Sequence, residues 1–326
     1  MSRIAYFKRI LSAYILGGNS HLTFWHGTPQ LNANAFTFPG KEVGQYYMKF
    51  LEKADYPGPF DEQGIPMLDY RGNVGKQYNP IAIAQYGLGN YNLFCQKKDE
   101  HYLDEFLKIS YWLADNLREN TFGILVWMHD FDWEYREILK APWYSALAQG
   151  QGISVLVRAY KETKNEKYLD AAKRAFLSFE KNMDEGGVNF IDDKGNIWFE
   201  EVIVSPPTHI LNGFIWALWG VYDYYLVTGD EIAEKLFSRG VKTLETDIDE
   251  FDMGFWSLYE LSGTKLKMVA SRFYHNLHIV QLEVMYRLTG KDVFRKYADK
   301  WENYQKDWWK RNAALGYKAV FKLLYY

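Results

Sequence analysis

Cysteine is nearly absent from this chain: Cys95 is the only one in 326 residues, which excludes an internal disulfide and a cysteine-built zinc site. Charge of one sign is also lacking. The 38 basic and 41 acidic residues leave a formal net charge of −3 and a pI near 6.2. No long-range field therefore draws in a nucleic acid or an anionic membrane, and any acidic ligand has to be met locally. Long apolar runs are missing too. The opening "MSRIAYFKRILSAYILGG" holds only "ILSAYIL", short for a signal-peptide core and much too short to span a bilayer, so the expectation is a soluble, cytoplasmic chain with no membrane span. None of G-x-G-x-x-G after a strand, a P-loop, H-E-x-x-H or G-x-S-x-G occurs, and nicotinamide, nucleotide and zincin chemistries lose their usual support.

Aromatic residues, by contrast, are plentiful: Trp, Tyr and Phe make up 18% of the chain. Such rings suit sugar faces and equally fill the cores of helical toroids. The sharper signal is a repeat. "IAIAQYGLGNYNLFCQKKDEHYLDEFLKISYWLADNL" from Ile81, "GISVLVRAYKETKNEKYLDAAKRAFLSFEKNM" from Gly152, "GFIWALWGVYDYYLVTGDEIAEKLFSRGVKTLETDI" from Gly213 and "LHIVQLEVMYRLTGKDVFRKYADKWENYQKDW" from Leu277 share one plan. Each reads as an apolar helix, a short polar turn such as "TGD" or "TGK", and a more amphipathic second helix. Tyr168, Ala171, Ala172, Ala175, Phe176 and Phe179 fall at helical spacing in one of these second helices. The first helix of each pair, apolar around more of its circumference, is expected inside a ring and the second outside.

Between the pairs, "TFGILVWMHDFDWEY", "GGVNFIDDKGNIWFEEVIV" and "DEFDMGFWSLYEL" mix β-branched and aromatic residues with Gly and Asp turns and read as short hairpins. The fold expected is mainly α: an incomplete (α/α) barrel or toroid of helical hairpins over residues 80–326, with β-hairpin loops. Residues 1–79, including "FTFPGKEVGQYYMKF", form an N-terminal extension of strands and loops packed on it. No Pro/Ser/Gly linker divides the chain.

Three groups of residues carry potential chemistry. In "IWFEEVIVSPPTHILNGF", Glu200 and Glu201 lie between aromatic and β-branched residues. In a hairpin they point to opposite faces, so one can face a cleft while the other is solvated or structural. Desolvation raises a carboxyl pKa towards the range of a working acid or base, unless the pair sits on an exposed hairpin. Tyr259 and Tyr274 are phenols near Arg272, whose charge favours a phenolate. In "QGQG", the glycines suit close backbone approach and the amides of Gln149 and Gln151 are available to a ligand. His275 and His278, three apart, could share a face as metal ligands. With no third ligand nearby in sequence, hydrogen bonding to a polar ligand or a structural role are the stronger readings.

"SALAQGQGISVLVRAY", "WFEEVIVSPPTHILNGFIWALWGVYDYY", "GFWSLYEL" and "RFYHNLHIVQLEVMY", in that order, together with "YNPIAIAQYGLGNY" from Tyr78, resemble the C-terminal domain of the D-glucuronyl C5-epimerase family, whose animal members act on heparan sulfate precursors. The resemblance runs from Tyr78 to Lys306. It implies an (α/α) barrel and an isomerase that turns glucuronic acid into iduronic acid residues within a polysaccharide, removing the C5 proton and returning one to the opposite face. By position, Glu201 matches the second glutamate of the family's Glu-Glu-Tyr-Pro motif, Tyr259 its "YDL" tyrosine and Tyr274 a tyrosine preceding His, which implies proton transfer by these three. Arg272 would pair with the substrate carboxylate, and Asn212, His275, Gln85, Tyr86 and Tyr78 would line the cleft. A glucuronate-containing polysaccharide is the implied partner and a homodimer the implied assembly. No redox cofactor is required, and structural calcium stays open and unassigned.

One departure from the family stands out: Val202 replaces the tyrosine that follows the two glutamates. Valine transfers no proton. Beside the epimerase reading stand a lyase or glycoside hydrolase of uronic acid chains on the same fold, and an inactive glycan-binding protein.

Overall fold

A computed structural model describes residues 27–37, 42–135 and 138–325. The opening segment read for targeting, and Phe38–Lys41 of the expected extension strands, lie outside the described residues. Helical hairpins begin where Asn79 accepts, through its side chain, the backbone N–H groups of Ile81 and Ala82, with Pro80 in the first turn. Helix α1 (Pro80–Lys97) returns as α2 (Glu100–Asp115), α3 (Ala146–Thr163) as α4 (Glu166–Glu180), α5 (Leu211–Thr228) as α6 (Glu231–Asp247), and α7 (Arg272–Thr289) as α8 (Asp292–Lys306). These are the pairs the repeat predicts.

Their tight turns share one design. In "TGD", Gly229 adopts the left-handed conformation that closes α5, and Asp230 caps α6 by accepting from the N–H groups of Ile232 and Ala233. Inner and outer helices separate by burial in the first three pairs, whereas α7 of the fourth buries only a stripe from His275 to Met285. Residues 80–92, 146–159 and 211–221 are buried without a break, whereas α4 buries only one stripe, including Tyr168, Ala171, Ala172, Ala175, Phe176 and Phe179. Inner helices α3 and α5 meet at backbone distance: a Cβ on Gly150 would lie 2.7 Å from Ala217 Cα, and one on Gly220 2.2 Å from the Gly150 carbonyl oxygen. A further helix, α9 (Trp308–Tyr325), packs on α8 and turns Ala314, Lys318 and Phe321 inward. It lies past the last repeat, where the pairing pattern gives no sign of it.

Strands are short and confined to hairpins: β1 (Leu68–Asp69) with β2 (Lys76–Gln77), β3 (Arg118–Glu119) with β4 (Leu125–Val126), β5 (Trp133–Glu134) with β6 (Ile138–Leu139), and β7 (Asn189–Ile191) with β8 (Ile197–Phe199). The expected hairpin in "DEFDMGFWSLYEL" differs. Ile248–Phe251 continues α6 as a 3-10 turn, and the pairing is reduced to single bridges, Asp252 with Ser257 and Leu258 with Val269. In the described part of "FTFPGKEVGQYYMKF", likewise, only Met48 pairs, in a bridge with Leu31.

That segment is held by side chains instead. Asn92, Arg158 and Asp223 are each the thirteenth residue of their inner helix, α1, α3 and α5. Asn92 Oδ1 accepts from the Tyr46 N–H at 2.7 Å, Arg158 Nε donates to the Gly44 carbonyl at 2.8 Å, and the Tyr47 hydroxyl donates to Asp223 at 2.7 Å. Arg158 and Asp223 pair at 2.6 Å with both side chains fully buried. Among the described residues, no helix is long and apolar enough to cross a membrane.

Because Gly220 meets backbone, Gly220→Ala is expected to lower unfolding stability by about 1–3 kcal/mol, the usual scale of overpacking. A methyl added at Gly316, within α9, would meet nothing within 4 Å, and the backbone there has an ordinary φ, so Gly316→Ala should raise stability by up to ~1 kcal/mol through helix propensity. Chemical denaturation of the two variants checks the pair of opposite signs.

Candidate active site

The first turns of the inner helices open on one cavity of about 300 Å³, reached by Asn79, which caps α1, and by Ile81 of α1, Leu147 of α3, Asn212 of α5, and Phe273 and Tyr274 of α7. Helix N-termini carry partial positive charge, so their convergence favours an anionic occupant. One wall is aromatic. Tyr70, held by the Asn79 amide at 2.7 Å, packs against Phe131 at 4.6 Å and Trp133 at 5.7 Å between ring centroids, and Trp143 lines the same side. The extension supplies Met48–Lys53.

Glu201 lies just past β8 and reaches into this cavity. It can do so only because residue 213 is glycine: a Cβ there would sit 2.2 Å from Glu201 Oε2. Asn212 Nδ2 donates to the same oxygen at 3.4 Å. Enclosure by protein, reinforced by the neighbouring Glu200 charge, pushes the Glu201 carboxyl up from 4.5 to about 8. Glu200 faces the other way and is wholly buried, not solvated. It accepts from the Thr208 N–H at 3.3 Å, the His209 N–H at 3.1 Å and the His209 ring at 2.5 Å. It thereby pins the loop that delivers Asn212 and Gly213.

Tyr259 and Tyr274 line the same cavity and meet edge to face, with centroids 4.9 Å apart. Tyr259 is fixed on both sides by its backbone, accepting from the Leu211 N–H at 3.1 Å and donating to the Met268 carbonyl at 2.7 Å. The buried Lys318 ammonium lies 5.8 Å from the Tyr259 ring centroid. Burial lowers that lysine to about 7 and raises adjacent Glu260, which accepts from the Tyr135 hydroxyl, to about 7.

Of the residues expected around the cleft, Gln85 and Asn212 line the cavity with Glu201, Tyr259 and Tyr274. Others do not. Gln149 is buried and used up inside the protein, accepting from the Trp127 N–H and donating to the Ala175 carbonyl. Gln151 is also buried and accepts from Gln85 Nε2 at 3.1 Å, so neither amide is presented to a ligand. The glycines of "QGQG" do serve close packing. His275 is stacked on Trp256 at 3.7 Å and bonded to Ser257 and the Trp301 carbonyl, away from the cavity. His278 shares Ser257 with it, so both histidines are structural. Tyr86 donates to Glu105 and Tyr78 to Asp61, outside the cavity. Arg272, at the start of α7, is exposed and off the cavity wall. Val202 is buried and also absent from the wall. Among the described residues, no group of three or more His, Cys, Asp or Glu gathers for a metal ion.

Sequence reasoning missed the aromatic wall and Lys53. The former was signalled by the aromatic content but not by position, because the rings come from separate loops.

The model of the D-glucuronyl C5-epimerase C-terminus matches residues 120–303. A D-glucuronyl C5-epimerase of Caenorhabditis elegans is 33% identical over 224 residues, covering 64% of this chain and 36% of that protein. The chain thus spans just over a third of that relative's length. An uncharacterized protein of Methanocaldococcus jannaschii is 27% identical over 267 residues, covering 75% of this chain and 85% of its own. Among solved structures, the cellobiose 2-epimerase of Bacillus thermoamylovorans superimposes with a TM-score of 0.56 at 15% identity, over 93% of this chain and 87% of that one. That likeness carries the (α/α) barrel fold.

The Glu201 shift has a consequence for stability. Its folded-state pKa is raised from 4.5 to about 8, so the stability gained from the neutral form is complete below the unfolded value and lost as pH rises through the folded one. Glu201→Gln is neutral throughout. Its melting temperature relative to wild type should climb between about pH 5 and pH 9; a constant difference would show that the carboxyl titrates normally.

Proposed function

Because the chain belongs to the D-glucuronyl C5-epimerase C-terminal family, which makes it a carbohydrate epimerase-like protein, we propose that it inverts C5 of a uronic acid residue within a glucuronate-containing polysaccharide. The observation that carries this reading is a carboxyl raised to about 8 in one cavity with two phenols. A C5 proton lies α to the substrate carboxylate and is very weakly acidic, so its removal needs a base stronger than an ordinary carboxylate. Glu201 in ionised form is such a base. It takes the C5 proton from one face, leaving a carbanion delocalised into the carboxylate, and Tyr259 or Tyr274 gives a proton to the other face. The result is neutral Glu201 and a phenolate, which exchange back through solvent. Converging helix N-termini favour the anionic substrate and the further charge that grows on it. The aromatic wall suits flat sugar faces.

In deuterium oxide the protein should place deuterium at C5 of a glucuronan or heparosan-like polymer without cutting it, as read by proton NMR. Glu201→Gln should slow exchange by roughly 10²- to 10⁴-fold, the usual contribution of a positioned acid or base. Tyr259→Phe and Tyr274→Phe identify the second group, the one whose loss is as severe. Ultraviolet absorbance from an unsaturated product would replace the epimerase by a lyase, and new reducing ends without it by a hydrolase.

A further inference from the structure

Helix α9 lies past the last helical pair, and along its length it grips one segment, residues 254–269, which carries Tyr259. Lys310 Nζ donates to the Gly254 carbonyl at 3.4 Å, and Tyr317 packs against Phe255 with ring centroids 6.1 Å apart. Lys318 Nζ donates to the Val269 carbonyl at 2.6 Å, and the Tyr325 hydroxyl accepts from the Leu266 N–H at 3.2 Å. One of these contacts brings a charge to the cavity phenol. Lys318 is buried, at 7% exposure, and its ammonium lies 5.8 Å from the Tyr259 ring centroid, within reach of a cation–π interaction. We infer that Lys318 is a positioning residue for the reacting phenol: it fixes the segment that presents Tyr259, and its cation favours the phenolate left when Tyr259 gives up its proton.

The backbone around Tyr259 makes this hold direct. The Val269 carbonyl that Lys318 binds is next to the Met268 carbonyl that accepts from the Tyr259 N–H, and Val269 itself bridges Leu258. On its other side the Tyr259 carbonyl accepts from the Leu211 N–H at the start of α5. The phenol is thus set between α5 and α9, on the cavity wall it shares with Glu201.

The chemistry gives the cation its use. Once Glu201 has taken the C5 proton, the Tyr259 O–H bond breaks as the new C5–H bond forms, and negative charge passes from the substrate to the phenolate oxygen. A cation beside the ring lowers the cost of that charge, the more so where protein excludes water. The groups that face Lys318 are Glu260 beside Tyr259, Lys322 one turn further along α9, and His278 of α7, whose burial holds it well below its ordinary value. Burial and Lys322 bring Lys318 down to about 7 against the pull of Glu260, so its charge is present below that pH and fades as pH rises through it.

The inference rests on the reading in which Tyr259 protonates C5, and two measurements keep them apart. The first needs no turnover: nitrotyrosine, whose phenol ionises near neutral pH and absorbs visible light, is placed at position 259 and titrated. Lys318→Met should raise its midpoint by roughly one pH unit, the scale of a nearby opposite charge, and Lys318→Arg should leave it at or below the parent's. The second follows deuterium exchange at C5 with the natural phenol. At about pH 6, Lys318→Met should lower kcat about 10-fold, the equivalent of one pKa unit, with KM within about twofold. That gap should narrow towards about pH 9, where the parent has lost the charge, whereas Lys318→Arg, always charged, should gain on the parent over the same range. A lysine that only filled space would leave both ratios independent of pH. An unmoved midpoint in a Lys318→Met protein of unchanged melting temperature overturns the inference, and so does a kcat equal to the parent's at about pH 6. Should Lys318→Met unfold, Lys318→Arg decides, and a kcat that does not gain on the parent with rising pH overturns it. If the midpoint moves but no polymer exchanges at C5, the inference stands and the epimerase reading fails.

Discussion

Arg158 and Asp223 pair with both side chains wholly enclosed, and the rest of the molecule is arranged around that constraint. Two charges so deep are tolerable only if they meet each other and their remaining hydrogen-bonding capacity is filled. Burial works against the Arg158 charge, but Asp223 outweighs it and holds the guanidinium above its ordinary range. The N-terminal extension fills part of that capacity: the Gly44 carbonyl accepts from Arg158 Nε and the Tyr47 hydroxyl donates to Asp223, while the Ser154 carbonyl accepts from Arg158 Nη1. Removing either charge would strand the other and loosen the extension together with the ring. The pair therefore joins α3 to α5 and the extension to both, and Met48–Lys53 reaches the cavity wall from that anchored segment.

The same close approach of helices sets the opposite end. Gly150 and Gly220 bring α3 and α5 to backbone contact, so their first turns stand side by side at the cavity. Four helix starts then share one small volume, and a polar side chain caps three of them: Asn79 for α1, Ser145 for α3, Ser271 for α7. α5 is the exception, since Ile210 offers no side-chain cap. Its start is held by the loop that Glu200 pins, and by Tyr259, whose carbonyl accepts from the Leu211 N–H.

The helical pairs were legible in the sequence because burial of whole helices and of single stripes writes two different apolar patterns, and because "TGD" and "TGK" carry both a closing glycine and a capping or turn residue. The resemblance singled out Glu201, Tyr259 and Tyr274, and the three stand on the wall of one cavity. Gln149, Gln151 and His275 were expected at the cleft and lie off the cavity wall, for one reason. A polar residue on an inner helix looks the same in sequence whether it faces the axis or fills the hydrogen-bonding needs of a neighbouring element, and here Trp127, Ala175, Ser257 and Trp301 have those needs. Lys53 was illegible for the opposite reason: its turn owes its position to Gly89 and to contacts some forty residues away in sequence, and no local pattern encodes that.

The two adjacent glutamates show how one dipeptide supplies two opposite environments. Leaving β8, consecutive side chains diverge. Glu200 enters a polar pocket of two backbone N–H groups and a histidine ring, an arrangement that satisfies an ionised carboxylate. Glu201 has one long contact, to Asn212, and the Glu200 charge behind it, an arrangement that favours a proton. Glu200 therefore raises the basicity of its neighbour while fixing the loop that brings Gly213 beneath it. In a chain where Val202 stands in place of the family's phenol, that coupling is a means by which the remaining carboxyl gains strength as a base without any additional group in the cavity.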